Sequence, residues 1–470
     1  MTAPAPDTLP PETPAPDTPA PDTPAARRGI FGWMLFDWAN QPFQTLVVTF
    51  VFGPWFVAQA IGDPVAGQAL WGWASALAGA VAALLAPVLG AVADRTGARK
   101  AWVLAASVPY VLGCLGLWLA TPAMADPTVV LVAFGLGFVG SELGVVFTNA
   151  MLPDLAPREK IGRISGSGWA LGYFGGLVSL VFVLLFLAPA PGREVTLLGI
   201  APILGLDPAL GEPERATGPL SALWYVVFAV PLFLYTPDVP RRREGRAVRD
   251  GLADLGRTAR TARRHRSLFT FLVASMIYRD ALAALYAFGG IYAAGVLGWG
   301  AFQLGVFGIV AATVGTIGTY LAGRADERFG PRPVIVGSIW VLIAVGAFAL
   351  LTTRTSVLGV PVPEGSRLPD LAFLAAGGLL GAAGGAVQAA SRTLLVHLSH
   401  GRMAPAQAFG LFALSGRATA FLGPAAIAAV TTLSGSQRLG VSPVILLFLL
   451  GLGLLYWVKT EDEQPMDPTA

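Results

Sequence analysis

The sequence predicts an all-α membrane protein in which twelve transmembrane helices form two pseudo-symmetric six-helix bundles. Three observations lead to this fold class. Hydrophobic residues make up 54% of the 470-residue chain, charged residues make up 13%, and the mean hydropathy is +0.65, a composition far from that of soluble globular proteins. The apolar residues are grouped in runs of roughly 20, the length that an α-helix needs to cross a bilayer. Two motifs from the first half of the chain return in the second half.

The chain begins with a segment, residues 1–28, that we expect to be a disordered cytoplasmic tail. It repeats the sequence Pro-Ala-Pro-Asp-Thr, which offers no apolar surface to bury and few backbone donors for a helix. A secretory signal peptide starts with basic residues that precede an apolar stretch. Here an acidic, proline-rich segment comes first, so we expect the tail to stay attached.

Twelve apolar segments follow the tail. None shows the ten-residue alternation that is typical of membrane-spanning strands, so each is predicted to be a helix. The predicted spans are residues 31–59, 69–93, 101–121, 128–151, 164–189, 218–236, 268–295, 300–322, 333–352, 371–396, 407–433 and 440–458.

The distribution of basic residues predicts the orientation of these spans. Lysine and arginine accumulate in loops that stay in the cytoplasm. With both ends of the chain inside, 23 of the 31 basic residues lie on the cytoplasmic side, including Lys459 of the C-terminal cytoplasmic tail at residues 459–470. We therefore expect a multi-pass protein of a bacterial-type inner membrane, with lipids as partners and both termini in the cytoplasm.

A basic linker, residues 237–267, separates an N-terminal bundle at residues 29–236 from a C-terminal bundle at residues 268–458. Ten basic residues lie between Arg241 and Arg266. Nucleic-acid binding is one interpretation of such a segment, and contact with anionic lipid is another. Because the linker lies between two membrane spans, lipid contact is favoured and no nucleic-acid partner is expected.

Two pairs of motifs indicate that the halves are duplicated units. GAVADRTGARK (Gly90–Lys100) follows span two, and GRADERFGPRP (Gly323–Pro333) follows span eight. Similarly, SGWALGYFGG (Ser167–Gly176) in span five matches SGRATAFLGP (Ser415–Pro424) in span eleven. Repeated halves are typical of secondary transporters, whose substrate site lies near the membrane midplane between the repeats.

Together with FDWANQPF and VQAASRTLL, these motifs resemble the major facilitator superfamily and, within it, the vacuolar amino-acid effluxer-like branch, over residues 29–460. The resemblance implies a secondary active transporter. The sequence contains no Walker A motif, Gly-x-Ser-x-Gly elbow or His-Glu-x-x-His motif, so neither an enzyme nor a cofactor is expected. The resemblance also implies alternating access, and a cytoplasmic charge network that latches one side shut. In that network Asp94 is expected to pair with Arg95 or Arg99, or to face the start of span eleven; a turn with solvated charges is the alternative. The residues expected in the two copies are Gly90, Asp94, Arg95, Gly97, Arg99 and Lys100, and Asp326, Arg328, Gly330 and Arg332.

The first span carries a polar stripe that is unusual for a membrane helix. Asp37, Asn40, Gln41 and Gln44 are spaced i, i+3, i+4 and i+7, so they share one face of a helix. Such groups are costly in contact with lipid, so the stripe is predicted to face the bundle interior as one wall of a transport path. A hydrogen-bond network in helix packing is the alternative. Pro42 lacks an N–H and is expected to kink the span.

Further polar residues lie in spans four, seven, ten and eleven. The charged residues within spans, Asp37 included, sum to zero, which indicates mutual compensation. We expect Arg279 to pair with Asp37 or Glu142, and Asp280 to pair with Arg392 or Arg417. The candidates for the substrate or proton path in these spans are Glu142, Asn149, Tyr278, Arg279, Asp280, Gln388, Arg392 and Arg417.

These residues favour a mechanism in which Asp280 or Glu142 carries a proton while Arg279 or Arg392 holds a substrate carboxylate. A small solute such as an amino acid or a related zwitterion fits that arrangement, and one twelve-helix chain is expected to function as a monomer. Efflux of a lipophilic or lipid-like compound remains an alternative, as does a membrane sensor or scaffold without transport. His397 and His400 alone are a weak metal motif, so no metal site is expected.

Overall fold

The computed structural model describes residues 23–155, 158–190, 193–238, 240, 260, 263–399, 411–412, 415–416 and 418–459; within these, the side chains at positions 24, 25, 87, 91, 94, 95, 153, 158–163, 165 and 166 are not described. In the first part of the chain the helices are α1 (Pro24–Pro42), α2 (Phe52–Trp55), α3 (Pro64–Thr96), α4 (Arg99–Gly116), α5 (Thr128–Leu155), α6 (Arg158–Phe186), α7 (Glu212–Arg215) and α8 (Thr217–Tyr235). In the second part they are α9 (Arg266–Leu297), α10 (Ala301–Phe329), α11 (Pro331–Leu351), α12 (Leu368–Ser399), α13 (Leu422–Ser434), α14 (Gln437–Gly440) and α15 (Pro443–Leu455).

The described residues confirm a helical membrane architecture. Eleven of their helices are long and apolar enough to cross a membrane. The remaining predicted span, span eleven at residues 407–433, falls partly outside the described residues, and its described part contains the shorter apolar helix α13. Large exposed side chains such as Leu84 and Leu112 lie along the spans, where a bilayer would cover them. A short hairpin of β1 (Ser356–Val357) and β2 (Val360–Pro361) precedes α12 and was not predicted.

The connections that carry the repeated motifs are shorter than predicted. Helix α3 continues through Thr96 and α4 begins at Arg99, so only Gly97 and Ala98 connect the two helices. Gly97 has a φ of +64°, a conformation that glycine adopts without strain and that ends α3. Gly330, with a φ of +82°, ends α10 in the same way, and Pro331 begins α11. Polar residues that the sequence assigned to loops therefore extend the helices beyond their apolar parts.

The first span is not the single α-helix that was predicted. Directly after Pro42 the hydrogen bonding changes to π-helical over Phe43–Phe50, and a second π-helical segment covers Phe56–Ala60. Val51, between them, has φ −124° and ψ −73°, which lies outside the helical region. Such irregular segments are frequent at functional sites.

The helices form an N-terminal group, α1–α8, and a C-terminal group, α9–α15. In the first group α1 packs against α6 and α8, and α4 packs against α5; in the second, α12 packs against α10 and α11, and α9 packs against α15. The two groups meet where α3 contacts α13, where the irregular part of the first span contacts α9, and where α6 contacts α10.

The assembly has two ends. The basic end is the one that carries Arg99, Lys100, Arg328 and Arg332, and the opposite end is the one that carries Gln68, Thr431 and Gln437. Close packing between the groups is found toward the opposite end. There Gly290 of α9 lies directly against the carbonyl oxygen of Thr49, with no room for a Cβ, and Gly305 of α10 lies against Leu184 of α6.

Candidate functional site

The polar stripe of the first span is divided between two neighbouring helices. Asn40 accepts a hydrogen bond from the Ser141 hydroxyl of α5 at 3.0 Å, so this residue serves helix packing. Asp37 lies against α6, where a Cβ at Gly168 would come within 2.9 Å of its carboxylate Oδ2. Gln41 lies against Gly176, further along α6. Asp37 has no hydrogen bond or ion pair to any other described residue. Gln44, in the π-helical segment, is half-buried.

Helix α9 carries three consecutive polar residues that point to different neighbours. The buried Tyr278 hydroxyl is 2.7 Å from the Ser391 hydroxyl of α12. Arg279 donates to the Phe412 carbonyl at 3.0 Å, and its guanidinium lies 4.3 Å from the centre of the Phe412 ring. The pair expected between Arg279 and Asp37 is not formed.

Asp280 is the most enclosed of the candidate carboxylates. Its residue is 3% exposed, and its Oδ2 has no hydrogen-bond partner. The backbone of Gly423 in α13 packs against it. The expected pair between Asp280 and Arg392 is not formed, and its other expected partner, Arg417, lies outside the described residues.

Arg392 occupies the contact between the two groups of helices. Its guanidinium lies 5.9 Å from the centre of the Trp169 ring of α6, and the ring of Tyr173, one turn further along α6, is 5.7 Å from that of Trp169. Tyr286 of α9 packs against Gly384 of α12, about two turns before Arg392. The side chain of Arg392 is exposed, and among the described residues it has no hydrogen bond and no ion pair. An arginine without an acidic partner inside a membrane span is by default a functional-site candidate.

Two further candidates lie on α5 and one lies on α12. Glu142 is half-buried and Asn149 is exposed on α5, while Gln388 is half-buried one turn before Arg392. Trp169, Tyr173 and Tyr286 were not selected from the sequence. The signal was present, since Trp169 and Tyr173 are four residues apart within the repeated motif and therefore share one helix face.

The first copy of the repeated motif joins helices of the N-terminal group. Arg99 forms an ion pair with Asp154 at the end of α5. Asp238 accepts hydrogen bonds from the backbone N–H groups of Arg99, at 2.9 Å, and Lys100, at 3.1 Å, and so caps the positive start of α4. The Lys100 ammonium donates to the carbonyl of Phe233 in α8 at 3.0 Å. Asp154 and Asp238 were not predicted.

The remaining motif residues are described in part. The backbone of Asp94 and Arg95 belongs to the last turns of α3, but their side chains are outside the described part of the structure, and Gly90 lies near Val146. In the second copy Arg332 donates to the Tyr456 carbonyl at 3.1 Å, which joins α11 to the end of α15. Arg328 lies over the ring of Phe329, and the Asp326 carbonyl accepts from the N–H of Gly330 at the end of α10.

At the opposite end a buried polar cluster joins the two groups of helices. Gln68 of α3 donates to the Thr431 hydroxyl of α13 at 2.8 Å and to the Gln437 carbonyl at 3.0 Å. All three residues are buried. Since buried polar groups are costly when unpaired, these bonds favour the arrangement in which the groups meet at this end.

Comparison with known proteins assigns the chain to a family. A family model described as "Vacuole effluxer Atg22 like" matches residues 57–465. The chain belongs to this family. The Atg22-like chain is 25% identical over 438 residues to the uncharacterized MFS-type transporter YxiO of Bacillus subtilis (strain 168), covering 91% of the chain and 94% of that protein. It is 22% identical over 311 residues to autophagy-related protein 22 of Coccidioides immitis (strain RS), covering 61% of the chain and 47% of that protein. It thus spans about half the length of the curated fungal relatives that it matches.

Solved structures agree on the fold of this Atg22-like protein. A bacterial homolog of the human lysosomal transporter Spinster, in an inward-facing and unoccupied conformation, aligns with a TM-score of 0.64 at 14% identity, covering 93% of this chain and 97% of that one. A D-xylose-proton symporter aligns with a TM-score of 0.62 at 13% identity, covering 93% and 98%. The Atg22-like chain is therefore a multi-pass membrane transporter with the major facilitator fold, and not an enzyme.

Proposed function

We propose that this Atg22-like protein is a secondary active transporter that moves a small solute bearing a carboxylate group by alternating access. The observation that carries the proposal is Arg392, whose guanidinium lies between the two groups of helices without a hydrogen bond or ion pair to any described residue. Arg392 lies in the last quarter of α12, within the predicted span 371–396, where an arginine without an acidic partner is costly in contact with lipid and marks a functional site. A substrate carboxylate would compensate that charge with a bidentate pair.

Alternating access requires that the two groups rock about this site. We propose that residues 29–236 and 268–458 move as two bodies joined by the linker 237–267. The contacts around Gln68 and Gly290 support a conformation that is closed at the opposite end. If the basic end is cytoplasmic, as the distribution of lysine and arginine favours, this conformation faces the cytoplasm of a bacterial-type inner membrane with both termini inside.

Proton coupling is the second part of the proposal. The buried, unpartnered Oδ2 of Asp280 and the unpaired carboxylate of Asp37 support these two residues as proton carriers, because an unpaired ion in apolar surroundings is costly and a proton removes the charge. An amino acid or a related zwitterion is the solute class implied by the family, and one chain would form the complete path.

Transport by the full-length protein in liposomes tests the proposal. We expect an imposed inward proton gradient to drive uptake of at least one radiolabelled carboxylate from a panel of amino acids and organic acids. Asp280→Asn should lose accumulation under the gradient and keep solute exchange, because the proton carrier is removed while Arg392 remains. Arg392→Gln should lose both activities.

Arg324→Gln is the matched control, because Arg324 is an exposed arginine that lies 4.7 Å from the ring centre of Tyr320 on its own helix. It should transport like the wild type. Absence of gradient-driven uptake and of exchange for every compound in the panel would contradict the proposal, as would full activity of Arg392→Gln.

Efflux of a lipophilic compound is the second candidate. It is favoured by the exposed aromatic surface of Trp169, Tyr173 and Phe174 on α6. Transport of lipophilic cations or neutral compounds that is insensitive to Arg392→Gln would support this candidate.

A further inference from the structure

Trp169 and Tyr173 of α6 and Arg392 of α12 form a cluster between the two groups of helices, and Tyr286 of α9 packs against Gly384, about two turns before Arg392 on α12. Resting on the proposed function, we infer that this cluster selects an organic anion that joins a carboxylate to a flat aromatic ring, in preference to the corresponding zwitterion. The inference names the substrate class of the proposed site and differs from the amino acid that the family implies.

The carboxylate requirement comes from Arg392. The planar guanidinium presents several N–H donors that match the two oxygens of a carboxylate. In α12 it is exposed and its neighbours are aromatic, and no described acidic side chain pairs with it. All of its donors are therefore open to a ligand. Hydrogen bonds to charged groups are also stronger than those between neutral groups.

The aromatic requirement comes from Trp169 and Tyr173. Their ring centres are 5.7 Å apart with an angle of 47° between the planes, and the residues are 49% and 56% exposed. Two tilted rings beside a cation provide a surface on which a flat ring stacks while its carboxylate reaches Arg392. Tyr286 belongs to the C-terminal group, where its hydroxyl packs against Gly384 and donates to the Leu380 carbonyl at 3.4 Å, which holds this ring in place.

The discrimination against an ammonium group comes from the position of Asp37. Its carboxylate lies on the seam between α1 and α6, against Gly168 and Gly172. Gly168 directly precedes Trp169, and Gly172 directly precedes Tyr173. Because adjacent residues of a helix point about 100° apart, the two aromatic side chains point away from the glycine face that Asp37 contacts. Asp37 is therefore turned away from the aromatic face. A zwitterion stacked there would bring its ammonium group into the site without a carboxylate partner, which disfavours it.

Binding of two matched ligands to the full-length protein in detergent tests the inference. Hydrocinnamate is phenylalanine without its ammonium group, so the pair isolates the effect of that group. By isothermal titration calorimetry we expect hydrocinnamate to bind at least ~10-fold more tightly than phenylalanine, the scale of one unpaired polar group. Propionate, which lacks the ring, and phenylpropanol, which lacks the charge, should bind more weakly than hydrocinnamate.

Two pairs of variants assign the binding to the cluster. Arg392→Gln should weaken hydrocinnamate binding about 10-fold to 100-fold, and Arg392→Lys should weaken it less, because the charge is kept and the planar fork is lost. Trp169→Leu should weaken binding while Trp169→Phe keeps most of it. Arg324→Gln and Trp457→Leu should bind as the wild type does, because Arg324 is an exposed arginine whose described contact is with Tyr320 and Trp457 is an exposed tryptophan just after the end of α15.

Three results would overturn the inference: phenylalanine binding as tightly as hydrocinnamate or more tightly, no binding of hydrocinnamate, or binding that survives both Arg392→Gln and Arg392→Lys. None of them touches the proposed function, which is judged by flux. A protein that transports an aliphatic carboxylate or an amino acid through Arg392 keeps the proposed function and refutes the aromatic anion. A protein that binds hydrocinnamate as expected but transports no solute supports the aromatic anion as ligand and contradicts the proposed function.

Discussion

The two ends of the molecule use polar groups in different ways. At the opposite end, Gln68 of the N-terminal group is hydrogen-bonded to Thr431 and Gln437 of the C-terminal group. At the basic end, the described bonds of Arg99 and Lys100 stay within the N-terminal group, and Arg332 is bonded within the C-terminal group. Among the described bonds, those at the opposite end join the two groups, and those of Arg99, Lys100 and Arg332 at the basic end lie within one group.

The difference shows which interactions a rocking motion must break. Bonds within a group move with it and survive the motion. Bonds between groups exist in only one conformation, so their free energy biases the equilibrium between conformations. We therefore expect substitutions at the opposite end to change the conformational equilibrium, and substitutions in the described contacts of the basic end to change the stability of one group.

The largest effect is expected at Gly290. Because the Thr49 carbonyl leaves no room for a Cβ, Gly290→Val must separate α9 from the first span. Overpacking of this kind typically costs about 1–3 kcal/mol, which here acts only on the closed opposite end. The expected result is a longer distance between spin labels at Gln59 and Leu433, two exposed positions at that end. Cys114 is buried, so background labelling should be low.

The neighbouring glycine provides the control. A Cβ at Gly289 meets nothing within 4 Å, so Gly289→Val makes a similar change in sequence without the clash. Its label distance should match that of the wild type. Equal distances in both variants would mean that the contact with Thr49 does not hold the opposite end closed.

A smaller effect is expected from Gln68→Leu. The substitution removes the donor and leaves the Thr431 hydroxyl and the Gln437 carbonyl without this partner in a buried place, at a cost of about 1–3 kcal/mol for a group left unsatisfied. The label distance between Gln59 and Leu433 should shift in the same direction as in Gly290→Val, but less.

A double substitution tests whether the pair acts as a unit. If the Gln68–Thr431 bond joins the two groups, Thr431→Val should add little to Gln68→Leu, because both remove the same bond. Additive shifts of the label distance would contradict this role.

The sequence predicted the fold well because span length, hydropathy and the bias of basic residues depend on the bilayer and not on tertiary detail. The segments that it assigned to loops around Arg99 and Arg328 proved to be helix ends, since a helix continues past its apolar residues where caps and glycines stop it. The break after Pro42 was anticipated only as a kink. The π-helical segments depend on contacts with α9 and other helices that a local pattern does not contain.

The candidate site was predicted less completely, and for a physical reason. Charged residues in spans are conspicuous, so Asp37, Asp280 and Arg392 were selected, but their partners depend on how helices pack. Arg279 donates a hydrogen bond to the carbonyl of Phe412 and lies over its ring, and Arg392 lies over the ring of Trp169. Aromatic residues are common in membrane spans, so the two aromatic residues of α6 had no distinguishing mark until the structure placed them beside Arg392.

The smallest effect is expected at the basic end, from Asp154→Asn. The ion pair with Arg99 is partly exposed, with side-chain exposures of 12% for Arg99 and 47% for Asp154. Exposed pairs contribute about 0–1 kcal/mol, and the backbone bonds of Asp238 to α4 remain. We expect a slightly lower melting temperature and an unchanged distance between labels at Gln59 and Leu433. A longer label distance at unchanged melting temperature would show that Arg99 and Asp154 take part in coupling the two groups, and the contrast between the ends would then fail.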